Sequence, residues 1–257
     1  TYAQPRDLSP RTLFAYEHVC VHGSLATKRA LLQRAMTLVA DDGVAPVCKT
    51  HALRELVNPT LVASYWTASE LLDAELVALV ANEVWKRVQG AGAALFADEA
   101  LRVELLQMST LLVEHAADVL AAQGTMKLDA IKFGWAFLSA EDVTVKHAAY
   151  VFIARFLQKF GSPIKITGQV YIGLLRLPPS DGRALVRRAL DILVPALPLR
   201  VPCTPGQVPL WVKWTKRTLL DEGHHALQLC TILQLIVRYP DLFYDSRALF
   251  VPHMVTS

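Results

Sequence analysis

Between Asp142 and Leu199 the chain reads DVTVKHAAYVFIARFLQKFGSPIKITGQVYIGLLRLPPSDGRALVRRALDILVPALPL, three apolar stripes at helical spacing parted by two proline-marked breaks. Val145, Ala148, Ala149, Phe152 and Phe156 form the first stripe. Val170, Ile172, Leu174 and Leu175 form the second, and Leu185, Leu190, Leu193 and Val194 the third. The breaks are Phe160-Gly161-Ser162-Pro163 and Pro178-Pro179-Ser180. A recurrence near the helical period puts each set on one face of its helix. Such faces, on helices joined by short loops, must be buried on one another. No Ser/His/Asp set, glycine-rich phosphate loop or metal-ligand spacing interrupts them. The stretch predicts an all-α stack that is an end in itself rather than a frame around a catalytic pocket.

The same pattern runs along the rest of the chain. Thr1 to Ser9 is a polar lead-in, and Ser9-Pro10 opens a helix that reaches Gly23. Ser24 caps a second, with Leu31, Leu32, Ala35, Met36 and Val39 inward, and Asp41-Asp42-Gly43 ends it. A third spans Pro46 to Val57; Asn58-Pro59 is expected to break the chain before a short fourth ending at Thr67. Ser69 or Asp73 opens a fifth, with Val84 and Trp85 inward, and QGAGA at Gln89–Ala93 connects onward. Asp98 opens a strong helix with Leu101, Leu105, Met108, Leu112 and His115 on its stripe. Glu99 and Glu104 lie near its N-terminal end, where acids suit the helix dipole. A helix from Lys127 to Leu138 carries Ile131, Phe133, Trp135 and Phe137. After the organising stretch, 200–209 (RVPCTPGQVP) reads as a surface loop. Helices follow from Trp211 and from His225 to Arg238, and Asp245 caps a last one. Paired helices recur at very roughly 40 residues, the period of HEAT or armadillo repeats. The expected class is therefore all-α, a HEAT/armadillo-like α-solenoid of stacked antiparallel helix pairs. Residues 1–257 would be one segment of a larger solenoid.

Composition narrows the function classes. Apolar residues make up 53% of the chain, yet no run reaches the ~18 residues of a spanning helix. The surplus belongs to packing, and a membrane partner is not expected. A net charge of +3, from 26 basic and 23 acidic residues, is too balanced to argue for direct nucleic-acid binding. Cys20, Cys48, Cys203 and Cys230 make no CxxC and read as small hydrophobes in a reducing compartment. No signal peptide is visible. The first residue is Thr1 rather than Met and Ser257 ends a helix-like run, so a piece of a longer protein is expected.

Few residues invite a chemical role. His18, Cys20 and His22 form H-x-C-x-H, but residues two apart on an α-helix point about 200° apart, so the three do not converge on a metal. Asp221, Glu222, His224 and His225 form the densest titratable cluster, at a helix junction where capping and solvation compete with acid–base chemistry. No nucleophile with an orienting base accompanies them, so neither catalysis nor a cofactor is expected. Arg183/Arg187/Arg188 and Lys213/Lys216/Arg217 read first as solvated faces. Trp85 and Trp135 fall on apolar stripes and read as core, whereas Trp211 and Trp214 restart the helical pattern after the loop. The candidate partner-binding residues are thus Arg187, Arg188, Trp211, Lys213, Trp214 and Arg217.

Several longer strings are more specific than periodicity. They include LVNPTLV (Leu56–Val62), RVELLQMSTLLVEH (Arg102–His115), IKFGW (Ile131–Trp135), DVTVKHAAYV (Asp142–Val151) and QVYIGLLR (Gln169–Arg176). Others are GRALVRRALDILVPALPLR (Gly182–Arg200), PLWVKWTKRTLLDEG (Pro209–Gly223) and VRYPDLFYDSRALFVPHMV (Val237–Val255). In this order and at these distances the chain resembles the TRRAP family of transformation/transcription domain-associated proteins, from about Val44 to the end. The resemblance implies a segment of the helical solenoid of a very large pseudokinase related to the phosphatidylinositol-3-kinase-related kinases. Its kinase-like domain would lie outside this segment, and no HRD-like or DFG triplet is present. It further implies a nuclear coactivator scaffold in histone acetyltransferase complexes of the SAGA and NuA-four type, contacted by transcription activators and by other subunits. Composition alone fits two other readings equally, a nuclear transport receptor or other helical scaffold, and the regulatory solenoid of an active kinase.

Overall fold

Four helices start at capping residues that the sequence offers, Ser24, Asp73, Asp98 and Asp142. The computed structural model describes residues 10–88, 96–177, 183–204, 206–222 and 225–255. The expectations placed on Ser9, the QGAGA connector, Pro178-Pro179-Ser180 and His224 lie outside the described residues. Among those described, every regular element is helical. The chain divides into two compact units, Thr1–Phe152 and Ile153–Ser257.

The first unit begins with α1 (Pro10–Ala15), which runs on through a wider π turn, Tyr16–Val21. Ser24 Oγ accepts from Thr27 N–H at 3.1 Å and starts α2 (Leu25–Ala40). Then come α3 (Pro46–Ala52), a π turn at Leu53–Val57 and α4 (Asn58–Ala63). Here the expected break at Asn58-Pro59 is corrected: the chain stays helical. Pro59 lacks an N–H and its ring meets the carbonyl four residues back. One residue earlier Asn58 N–H reaches Leu53 O, five residues back, and this widened winding makes room for the proline. Beyond the short α5 (Ala68–Leu71), Asp73 rather than Ser69 caps α6 (Ala74–Val80), accepting from Leu76 N–H at 2.9 Å. A third π turn, Ala81–Trp85, leads into α7 (Lys86–Val88).

Asp98 accepts from Leu101 N–H at 2.8 Å and opens α8 (Glu99–His115). Ten of its 17 residues are buried, more than one stripe provides, so α8 is central to this unit, with α3 and α4 packed against it. Next come α9 (Ala117–Ala122) and α10 (Gly124–Ala136). Phe133 is buried, with its ring edge-on to Phe137 and Phe152. Trp135, expected in the core, is instead 40% exposed: two residues from Phe133, it points to the other side of α10. Asp142 accepts from Val145 N–H at 2.7 Å and starts α11 (Val143–Lys159), within which the division between the units falls.

The second unit is built on α12 (Ile164–Arg176), which buries Val170, Tyr171, Leu174 and Leu175. Three helices pack on it: α13 (Arg183–Leu193), then, past α14 (Leu197–Arg200), α15 (Leu210–Glu222) and α16 (Ala226–Arg238). The predicted loop, 200–209, is irregular over 201–204 and 206–209, while Arg200 still belongs to α14; Gly206 at φ +82° is the one left-handed residue described. After α17 (Pro240–Phe243), Asp245 lies inside a 3-10 turn, Tyr244–Leu249, rather than capping α18 (Val251–Val255) as expected. Thr215 Oγ1 donates to Trp211 O at 2.7 Å, so the buried Tyr171 hydroxyl is the donor in its 2.7 Å bond to Thr215, joining α12 to α15. The Gln228 amide donates to Leu175 O and joins α16 to α12.

Candidate partner-binding surface

On α15 the four candidate residues divide by face. Trp211 is buried and its Nε1–H donates to Leu242 O at 3.4 Å. Trp214 is half-buried over Gly168, where an added Cβ would come within 2.8 Å of the indole. Both tryptophans therefore serve packing, with only part of Trp214 left to solvent. Lys213 and Arg217 are exposed, and Arg217 lies 3.8 Å from Asp221. Asp221 also accepts from Arg176 at 3.0 Å, and Glu222 approaches Arg176 Nε at 3.5 Å. The two acids of the sequence-level cluster thus tie α15 to α12. His225 is the residue preceding α16.

Of the two α13 candidates, Arg187 borders a groove and Arg188 does not. Arg187 is exposed with its Nε 4.0 Å from Asp191, while Arg188 is half-buried. The groove lies between α13 and α16 and opens to solvent. Its floor is Val186, Leu190, Leu235 and Leu177, and its rim carries Arg183, Arg187 and Arg238. Asp191 Oδ1 accepts from Arg238 Nη1 at 2.9 Å and from the Tyr239 hydroxyl at 2.7 Å. Burial and the neighbouring Asp191 carboxylate push the Tyr239 hydroxyl up to about 12, so it stays a donor at neutral pH.

Other polar side chains hold elements together rather than face a ligand. Glu104, assigned by the sequence to the helix dipole, turns inward beneath Arg54 and Asn58. The signal was its position five residues past Glu99, beyond the first turn, on the stripe side of Leu101 and Leu105. Trp85 Nε1–H donates to the buried Ser109 Oγ at 2.9 Å. Arg87 reaches Ala40 O at 2.7 Å and Asp42 Oδ1 at 2.9 Å, fixing the end of α2. Cys20 is buried with its thiol toward Leu56 O at 3.6 Å, and burial pushes that thiol up. His18 packs its ring on Phe14 instead, so the H-x-C-x-H residues part company on the π turn. Among the described residues, no group of three or more His, Cys, Asp or Glu could hold a metal ion. No described helix is long and apolar enough to cross a membrane.

The model of the family described as the Tra1 HEAT repeat ring region matches residues 1–257. The chain is 34% identical over 245 residues to a probable transcription-associated protein 1 of Dictyostelium discoideum, covering 93% of this chain and 5% of that protein. It is 31% identical over 216 residues to the SAGA complex/NuA4 acetyltransferase complex subunit TRA1 of Saccharomyces cerevisiae, covering 80% of this chain and 6% of the relative. It is 29% identical over 255 residues to the human transformation/transcription domain-associated protein, covering 94% of this chain and 6% of the relative. The chain thus spans only 5–6% of the length of these relatives.

Proposed function

The chain belongs to the Tra1 HEAT repeat ring region family, an all-α solenoid class, and from that premise we propose that it is a non-catalytic scaffold segment of a nuclear transcription coactivator subunit. The parent protein would assemble with histone acetyltransferase subunits in complexes of the SAGA and NuA4 type and would offer surface to transcription activators.

The observation that carries this reading is the family match along the whole chain, read together with the names of the yeast relatives as SAGA and NuA4 subunits. The side-chain chemistry supports it. Four buried hydrogen bonds link one helix to another: Tyr171 to Thr215, Gln228 to Leu175, Asn58 to Glu104 and Trp85 to Ser109. Repeats that contact mainly their neighbours expose a long surface on which extended or locally disordered partners can order.

Affinity purification of the full-length parent protein from nuclear extract, followed by mass spectrometry, tests the reading. Acetyltransferase subunits should co-purify. Their absence, with transport cargo or kinase partners in their place, would overturn the coactivator assignment and leave the fold intact.

A further inference from the structure

We propose that the groove between α13 and α16 docks an acidic amphipathic helix of a partner protein. The inference deepens the activator-contact part of the function proposed above and rests on it.

The groove pairs an apolar floor with a cationic rim. Val186, Leu190, Leu235 and Leu177 form the floor, Arg183, Arg187 and Arg238 the rim, and Asp191 is the one carboxylate among the described residues that line it. That carboxylate is already engaged by Arg238 and Tyr239. Among the described residues Arg183 bonds the neutral Gln234 amide alone, at 3.2 Å, and Arg187 approaches Asp191 no closer than 4.0 Å. Two guanidinium groups are therefore held weakly at the edge, ready to take carboxylates in two-point hydrogen bonds.

The α16 wall is long enough for a helix. Leu227, Thr231, Gln234 and Arg238 follow the i, i+4, i+7, i+11 spacing of one face, about 16 Å or three turns. Leu227 is 67% exposed and extends the apolar strip beyond the groove floor. Leucines on an incoming helix would meet the floor while flanking Asp and Glu meet Arg183 and Arg187, the helix-in-groove mode of recognition. A nucleic-acid backbone fits less well, because the floor offers its phosphates nothing and Asp191 repels them.

The test uses the full-length parent protein and a fluorescein-labelled synthetic peptide with leucines at i, i+3, i+4 and i+7 and glutamates between them. Binding should saturate, weaken with added salt, and fall about tenfold or more in Arg183→Glu/Arg187→Glu. The Lys159→Glu/Lys165→Glu protein, changed at exposed lysines away from the groove lining, should bind as wild type, and a scrambled peptide of the same composition should not bind. Unchanged affinity in the α13 double variant, equal binding of the scrambled peptide, or full competition by a short DNA duplex would each overturn the proposal. So would a Thr231→Cys thiol that maleimide labels only after unfolding, which would mean that the protein's own chain fills the groove. Hydrogen exchange over α13 shows that the double variant is folded. Acetyltransferase subunits recovered with that variant, together with unchanged peptide affinity, would remove the groove alone; their loss from the wild type would remove the coactivator reading.

Discussion

The Asn58 side-chain amide donates to the Glu104 carboxylate at 2.9 Å and approaches the main-chain carbonyl of the same residue at 3.3 Å, while Arg54 Nε meets the second carboxylate oxygen at 2.7 Å. This binds the π-turn helix to the central helix of the first unit. A carboxylate withdrawn from water is costly unless its oxygens are bonded. Asn58→Leu removes the donor on the inner side and should destabilise this packing by about 2–3 kcal/mol. Hydrogen exchange on the full-length protein reads the effect as faster exchange in both 46–63 and 99–115. Unchanged protection in both segments would mean that water replaces the Asn58 amide without loss.

The apolar grammar was legible because burial has a period. Ala149, Phe152, Val170, Leu174 and Leu193 all lie where the stripes put them. The polar joins were not legible, because their partners lie far along the chain: Asn58 and Glu104 are 46 residues apart, and Tyr171 and Thr215 are 44 apart. At Trp135 phase outweighs bulk: Phe133 fixes the inward direction of α10, and the indole two residues on faces the other way. Asn58-Pro59 stays helical because a proline forbids one hydrogen bond, not a helix, when a wider turn precedes it. The groove between α13 and α16 was legible only in half. Arg187 was visible as part of a basic face, but nothing in sequence brings Arg238 and Leu235 beside it.

At Gly168, α12 packs directly against the Trp214 indole of α15. A Cβ there would lie 2.8 Å from Trp214 Cζ2 and 3.0 Å from Cη2, and the rigid indole yields poorly. Gly168→Ala should cost about 1–3 kcal/mol despite alanine's better helix propensity. Exchange over 164–176 and 210–222 should quicken, and Gly168→Ala/Trp214→Leu should recover part of the loss. A stabilised Gly168→Ala protein would show that the indole moves aside freely.

His147 supplies a pH dependence. Its side chain is buried, and its Nδ1 has no hydrogen-bond partner among the described residues. Burial, aided by Lys146 and opposed by Asp142, holds the imidazole below its ordinary 6.5. The unfolded chain therefore takes up a proton as pH falls through about 6.5, while the folded chain resists until lower pH. Stability from this group is complete above that range and is lost as pH falls. Protection of 143–159, corrected for intrinsic exchange, should drop between about pH 7 and 5 in the wild type and stay flatter in His147→Leu. An equal drop in both proteins would assign the effect to other groups.

Ala149 gives the most direct test of the helix that organises the sequence. It is fully buried on α11, on the stripe with Val145, Phe152 and Phe156. An aspartate there would be ionised at neutral pH in the unfolded chain and would enter the fold at the cost of its hydration. Part of that penalty could be avoided by protonation, so the defect should ease as pH falls toward the carboxyl range. Ala149→Asp should therefore unfold the segment around α11 near neutral pH, whereas Val143→Asp, at a position 48% exposed on the same helix, should leave it folded. Exchange over 143–159 in the two full-length variants distinguishes them. Equal protection in both would mean that this face of α11 is not buried in the parent protein, and that the packing deduced from the stripe is wrong.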